Sequence, residues 1–499
     1  MNPTTVTFIL YLVMLIVIGI ITYRMTSTLS DYILGGRKLN SWVAAFSAQA
    51  SDFSGWLLLG LPGAAYAAGL GQWSLWIAVG LAIGAMINWQ YVAKRLRVYT
   101  EYSNNSITLP EFFENRFRDK SSLLRVISAI FILAFFLFYT ASGLVAGAKL
   151  FNGTFGMDYH TALILGGIVI VGYTFLGGFL AVSYTDFIQG FLMFLALFVT
   201  AVYGLIEIGG FGALFDTLKS IDGSLIDASA ATAYDSEGSV VWAAAGSIGF
   251  VGIVSALAWG LGYFGQPHIL ARFMAIKSHK EVAKAKVIAI TMGAVIPLYG
   301  AIIVGMVGIT TFDVPLSDPE QVFIQLVQVI YNPWVAGFLL AAVLAAIMST
   351  IDSQLLVSSS ALSEDFYKKF LRKEASETEL VWVGRFCVLG IALVAMALAW
   401  NETSSVLDLV SYAWAGFGAT FGSAILFSLF WRKTTRNGVL AGIIVGGLTI
   451  FLWGYTGSDL YEMVPGFIFS SIAIVVFSLI GEGPSEEILE EYDKVTGVK

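Results

Sequence analysis

The sequence predicts an all-α integral membrane protein of about thirteen transmembrane helices. Its core is predicted to be two five-span inverted repeats, each opening with a broken helix. Three observations lead there. Of 499 residues, 57% are hydrophobic and only 12% charged, about half the charged share of a soluble domain. Apolar stretches of about 20 residues, the length that crosses a bilayer, recur along the whole chain. Two of those stretches, five spans apart, carry glycine and proline beside polar residues, where a continuous helix would not.

The spans lie near 5–23, 41–66, 73–93, 126–147, 160–181, 187–209, 243–264, 286–309, 332–361, 381–400, 406–430, 438–456 and 464–481. The first, 5–23, is a peripheral span with no basic residue before it and no small-residue cleavage site, so it reads as uncleaved. Residues 41–209 form the first repeat and 243–430 the second. Residues 438–481 add a peripheral pair, so 1–481 is one transmembrane domain followed by an acidic tail, 482–499. The connecting segments test this count. Of the 27 Lys and Arg, all but Lys149 and Lys219 fall on one side, from Arg24 in the first loop to Lys494 and Lys499 in the tail. By the positive-inside rule the N-terminus is outside and the C-terminus cytoplasmic, in a cytoplasmic (inner) membrane. Trp73, Trp89, Trp334, Trp382, Trp400 and Trp431 fall near span ends, where indoles anchor at the interface. The outer 207–242 segment and the tail are acidic and polar, and read as solvated surface.

Several chemistries are excluded. The single Cys387 permits neither a disulfide framework nor a cysteine metal cluster. No Gly-Lys dipeptide occurs, so no P-loop ATPase engine is encoded. "GLGYFG" at Gly260–Gly265 matches a dinucleotide fingerprint only on paper, because it lies in an apolar span without a βαβ unit. The histidines, His160, His268 and His279, are expected in or near loops, which disfavours an intramembrane hydrolase. The chain is not expected to be an enzyme.

The second span, "SAQASDFSGWLLLGLPG", holds Asp52 beside Gly55, Gly60, Pro62 and Gly63. The seventh, "SALAWGLGYFGQPHIL", holds Gly260, Gly262, Gly265 and Pro267. Paired interruptions in corresponding halves point to a binding site: unwinding exposes carbonyls for a cation and N–H groups for a carboxylate. In "LAAIMSTIDSQLLVSSS" of span nine, Ala346, Ser349, Thr350 and Ser353 fall at i, i+3, i+4 and i+7, on one helical stripe, with Asp352 on the neighbouring face. An ionisable residue inside a span costs about 2.5–3.5 kcal/mol on insertion scales, so Asp52 and Asp352 call for a function or a partner. Asp186 is expected at the inner edge of span six.

The runs "DYILGGR", "ASDFSGWLLLGLPGA", "SITLPEFFENRF", "YTFLGGFLAVSYTDFIQ", "GLGYFGQPHILARFMA", "MSTIDSQLLVSSSALSED" and "LVSYAWAGFGATFG" occur in order and together resemble the sodium:solute symporter family, from Asp31 to about Gly481. The resemblance implies a LeuT-type core with extra spans outside it, in a lipid bilayer. It also implies Na+ as coupling ion, no organic cofactor, no ATPase subunit, no nucleic-acid partner, and L-proline as the solute taken up by alternating access. Carried onto matching positions, it implies a sodium site from the carbonyls of Ala50, Phe53 and Ala346 and the hydroxyls of Ser349 and Thr350, with Asp52 shaping the field. A second sodium, as in some relatives, would fall to Asp186 with Ser349 and Ser353, and Asp352 stands there in place of the small hydroxyl residue expected. Ser54, Gly55 and Trp56 would meet the amino-acid head group, and Tyr139, Trp259, Tyr263, Gln266 and Pro267 would wall the pocket. Arg37 would belong to an inner gate, or be an ordinary inner-side charge. The residues alone leave open another small solute, a proton-coupled carrier in which Asp52 or Asp186 titrates, and a channel.

Overall fold

A computed structural model describes residues 2–23, 29–176 and 178–497. Arg24 and Lys499, two of the inner-side charges counted above, lie outside the described residues, as does Gly177 of the "YTFLGGFL" run. The chain is helical almost throughout. Helix α1 is Pro3–Tyr23. The predicted second span is two helices, α2 (Ser41–Asp52) and α3 (Trp56–Ala68). There follow α4 (Ser74–Tyr102), α5 (Leu123–Phe155), α6 (Tyr159–Leu176) and α7 (Phe179–Ile208). The predicted seventh span is again two helices, α8 (Gly249–Leu257) and α9 (Pro267–Ala275), joined by a tight 3₁₀ segment at Ala258–Gly265. Next come α10 (His279–Thr311), α11 (Pro333–Leu371), α12 (Glu377–Leu398), α13 (Val406–Phe430), α14 (Arg436–Thr456) and α15 (Met463–Ile480), and a final helix α16 (Glu486–Gly497). Among the described residues nine helices are long and apolar enough to cross a membrane, and four shorter apolar helices occupy the remaining predicted spans.

Local sequence explains the helix starts. Asn40 Oδ1 accepts from the N–H groups of Trp42 and Val43 at 3.0 and 3.1 Å, capping α2, and Asn332 does the same for α11 before Pro333 at its first position. Such caps contribute about 1 kcal/mol each, and proline there loses no hydrogen bond. Packing is then set by small residues. Gly84 of α4 lies directly on Gly260 of the second break, where a Cβ on either would strike backbone. Only glycine lets the two main chains come this close.

Four expectations are corrected. Val240–Ser247 is a strand, β2, paired antiparallel with β1 (Ala230–Tyr234), so the seventh span begins at Gly249 rather than 243. The 207–242 segment, predicted as solvated outer surface, is folded, through this hairpin and the helix Phe211–Ile221, whose Leu214 and Leu218 are buried. Asp186 is two turns inside α7 rather than at its edge, because the helix already starts at Phe179. Trp89 is not an interfacial anchor: it is 2% exposed and meets Phe273 edge-on at 4.5 Å, whereas Trp73, Trp334, Trp382 and Trp400 are exposed.

The tail also departs from the solvated reading. Ile488, Tyr492 and Val495 of α16 share one face at i, i+4 and i+7 and are buried. This face covers the C-terminal end of α4: Glu491 pairs with Arg118 at 2.5 Å and accepts from Ser103 Oγ, and Tyr492 closes an aromatic cage with Tyr99 and Phe117 around the buried Arg116 guanidinium. An acidic count over the tail hid a three-residue apolar stripe, which is enough to dock one helix. Tyr492→Ala removes a ring whose burial contributes about 2 kcal/mol. The undocked fraction, and with it tryptic cleavage after Lys494, is expected to rise about tenfold or more. Unchanged cleavage would mean the tail is held by something other than this ring.

Candidate functional site

Helix α2 stops at Asp52 because Phe53 leaves helical geometry (φ −82°, ψ 75°), and three residues pass before Trp56. The freed backbone is not left bare. Asp52 O accepts from Ser54 N (3.0 Å), from Trp56 Nε1 (3.0 Å) and from the Tyr139 hydroxyl of α5 (3.2 Å). The Asp52 carboxylate reaches across to the other break: Tyr263 donates to Oδ2 at 2.5 Å, while the buried Oδ1 has no partner. A side chain of each interrupted helix therefore satisfies the other.

One turn back in α2, the carbonyl of Ala50 faces α11. Ser349 Oγ donates to Ala50 O at 2.7 Å and to Ala346 O at 3.0 Å, and Thr350 Oγ1 lies 3.3 Å from Ala50 O. Two carbonyls and two hydroxyls thus converge at full burial, with Asp52 two residues away. Hydroxyls that donate to a carbonyl in one state can turn their lone pairs to a cation in another, and an all-oxygen set suits a hard cation. Phe53, the fifth predicted ligand, sits in the break itself, its ring edge-on to Trp56 at 6.0 Å.

The predicted solute residues form one aromatic wall. Trp56 and Trp259 rings are 6.2 Å apart across the two breaks, and Tyr263 meets Trp414 edge-on at 5.2 Å. Gln266 donates to Gly262 O at 3.2 Å, leaving its Oε1 unpartnered, and Pro267 opens α9. Ser54 is 1% exposed, in the break. Gly55 has no room for a side chain, since an added Cβ would run into Ala146 of α5. Two wall residues were missed. Trp414 donates its indole N–H to Trp259 O at 2.7 Å, and Tyr461 stacks on Trp259 at 5.9 Å. An indole in mid-span needs an acceptor, and that signal was available for Trp414. Tyr461 lies in a loop and gave none.

A second polar cluster surrounds Asp186. Ser47 Oγ donates to Asp186 Oδ2 at 2.7 Å, and Arg272 Nη2 donates to the same oxygen at 2.9 Å and to Ser353 Oγ at 2.6 Å. Arg272 Nε adds Ser47 Oγ (3.0 Å) and Nη1 adds His268 O (3.0 Å). Arg272 and Asp186 are both fully buried. Arg272, read from sequence as one more inner-side loop charge, is thus a core residue; its place four residues after His268 on a helix resuming at Pro267 was the missed signal. Asp352 is bonded by Thr174 of α6, and its Oδ2 has no partner. His268 is likewise corrected: it is inside α9, fully buried between the rings of Phe136 and Tyr139.

The ends of the core are tied by charge. At the predicted inner side, Arg37 donates to Met274 O (2.6 Å), Ser106 O (2.8 Å), Asn105 Oδ1 (2.9 Å) and Thr100 Oγ1 (3.2 Å), joining the loop before α2 to α4 and to the end of α9. Burial, helped by the neighbouring Arg97, lowers Arg37 to about 10, so it stays charged at neutral pH. At the other end Lys149 meets Asp318 and Glu320 at 2.9 and 2.7 Å, while Glu320 accepts from the N–H groups of Val406 and Leu407 at the start of α13. A carboxylate is favoured at a helix N-terminus.

Discontinuous helices at matching places in two halves, with carbonyls and hydroxyls converging beside the first, are the arrangement of a secondary transporter of the inverted-repeat class. The sodium:solute symporter family model matches residues 32–446. The chain is 53% identical over 98% of its length to a sodium/proline symporter of Escherichia coli, covering 96% of that protein. It is 48% identical over 96% of its length to a high-affinity proline transporter of Bacillus subtilis, covering 98% of it. Among solved structures it is similar to a Na+-coupled sialic acid symporter in a substrate-bound outward-open state, with a TM-score of 0.78 at 20% identity, covering 97% of this chain and 99% of that one. The chain belongs to the sodium:solute symporter family, and its fold is the LeuT-type five-plus-five core.

Gly55→Ala is expected to destabilise the protein by about 1–3 kcal/mol through overpacking against Ala146, read as a lowered midpoint in a detergent thermal-shift assay. Tyr263→Phe leaves both Asp52 carboxylate oxygens buried without a partner and is expected to cost about 1–3 kcal/mol in the same assay, although the ring is kept. An unchanged midpoint for either would show that the corresponding contact is not maintained.

Proposed function

We propose that this chain is a secondary active transporter coupling inward Na+ flow to uptake of L-proline by alternating access. The convergence of Ala50 O, Ala346 O, Ser349 and Thr350 beside Asp52 carries the ion assignment. Near full-length similarity to sodium/proline symporters supports the solute. Na+ binds between the first break and α11, with Phe53 O as a further ligand, and fixes the unwound segment. The backbone N–H groups at Ser54–Trp56 then receive the carboxylate of the solute, as helix starts receive anions. Its ring lies against Trp56, Trp259, Tyr263 and Tyr139, with Gln266 and Pro267 closing the inner end.

The rocking halves are residues 41–209 and 243–430. The peripheral spans 5–23 and 438–481 flank them, the N-terminus is outside and the C-terminus cytoplasmic. Arg37 is a latch of the inner gate, since opening that side requires breaking its bonds to Met274, Ser106, Asn105 and Thr100. The driving force is adequate. One charge crossing a membrane yields about 2.3 kcal/mol per 100 mV, and a tenfold sodium gradient adds about 1.4 kcal/mol. At roughly 150 mV this totals about 5 kcal/mol, enough for accumulation of a few thousandfold of a zwitterion.

The test is labelled-proline uptake into proteoliposomes, inside-negative, under an inward gradient of either sodium or protons. Sodium-driven accumulation is expected, and Asp52→Asn is expected to reduce it at least tenfold at moderate sodium. Uptake driven by protons alone would overturn the ion assignment, and sodium-driven uptake of another amino acid but not proline would overturn the solute.

A further inference from the structure

Arg272 is a charge in an unusual place. Its guanidinium is fully buried and contacts oxygens from three other points of the core: Ser47 of α2, Asp186 of α7 and Ser353 of α11, besides His268 O of its own helix. One carboxylate, two hydroxyls and one carbonyl are the oxygen set that a hard cation takes. The sodium candidate formed by Ala50, Ser349 and Thr350 uses the same two helices, α2 and α11, one turn along each. Ser353 Oγ even donates to Ser349 O at 2.7 Å, linking the two clusters directly.

We infer that Arg272 is a resident cation that fills the second cation position, so that one Na+ rather than two accompanies each solute. The inference rests on the Na+-coupled reading above. Arg272 supplies the single positive charge that Asp186 requires in a dry interior, where an unpaired buried carboxylate would be strongly unfavourable. Being covalently attached, it cannot cross with the solute, and the charge it carries adds nothing to the driving force. Its four contacts close Asp186 Oδ2, Ser47 and Ser353 to an incoming ion. Asp352 lies within electrostatic range of both Arg272 and Asp186, and Asp186 Oδ1 and Asp352 Oδ2 are both buried without a partner. Without the guanidinium, the Asp186 carboxylate and the hydroxyls of Ser47 and Ser353 would face the space it leaves, with the Asp352 carboxylate close enough to add its field. That is a site for a small monovalent cation.

The experiment counts sodium. Purified full-length protein is assayed for equilibrium binding of radiolabelled sodium without proline, and in proteoliposomes for the ratio of initial sodium to proline influx. Wild type is expected to bind about one ion and to show a flux ratio and a sodium Hill coefficient of about 1. Arg272→Ala is expected to bind about two, with the Hill coefficient rising toward about 2. Arg272→Lys, which keeps the charge, is expected to stay at one. The paired change Asp186→Asn with Arg272→Met removes charge and counter-charge together, is expected to fold, and returns the count to one. A merely structural arginine would lower activity in Arg272→Ala without changing the sodium count, and that result overturns the proposal. Two ions bound by wild type overturns it whatever the variants do. If wild type fails to accumulate proline under sodium, the coupling reading fails, whereas the equilibrium count in wild type and in Arg272→Ala still decides the role of Arg272.

Discussion

The hydrogen bond from Tyr263 to the Asp52 carboxylate joins the two interrupted helices at the centre of the molecule. A carboxylate in mid-membrane is costly, and so is backbone whose helical partners have been removed. Each break answers the other's need. The aspartate of one takes the tyrosine hydroxyl of the other, and its carbonyl gathers Trp56, Ser54 and Tyr139. Irregular backbone survives at membrane depth only when protein surrounds it, so the enclosing helices follow from this pair. Once both breaks are shielded, the carbonyl of Ala50 is free to face α11 instead of closing a helical turn.

Close packing makes that enclosure possible, and small residues set it. Gly84 against Gly260 brings α4 onto the second break, and Gly55 brings the first break onto α5. Large rings then fill what the glycines leave: Trp414 braces Trp259 through its indole N–H, and Tyr461 covers Trp259 from a loop. Most polar tips of this aromatic wall are satisfied by nearby backbone: Trp56 and Tyr139 donate to Asp52 O, and Trp414 to Trp259 O. The ends are closed differently, by charge. Arg37 joins the loop before α2 to α4 and the end of α9, and the buried Lys149–Glu320 pair joins α5 to the start of α13.

Much of this was legible in the amino-acid order. The broken spans could be read because glycine and proline beside polar residues in an apolar stretch have few other uses. The Ala346–Ser349–Thr350 stripe could be read because a helix repeats every 3.6 residues. The failures have separate causes. Arg272 and His268 lie beyond an apolar window that ends at the second break, where the helix restarts, and Trp89 lies near the end of a window that stops at 93 although α4 continues to Tyr102. The tail was judged by net charge, although Ile488, Tyr492 and Val495 already lay on one face. The hairpin at 230–247 was read half as loop and half as span, since short apolar runs do not distinguish strand from helix.

Composition and periodicity by themselves determined that the chain lives in lipid, that two of its spans are interrupted at corresponding places, and that small oxygen-bearing residues line one face of span nine. These are properties of local segments, and the solvent acts on each segment separately. Only the tertiary structure decided which segments meet: that Asp52 finds Tyr263, that Ser349 and Thr350 find Ala50, and that a guanidinium from α9 sits among Ser47, Asp186 and Ser353. Those partners lie between 81 and 300 positions apart in sequence. No local pattern encodes such a pairing, because it is chosen by the packing of whole helices and by the need to satisfy every buried charge at once.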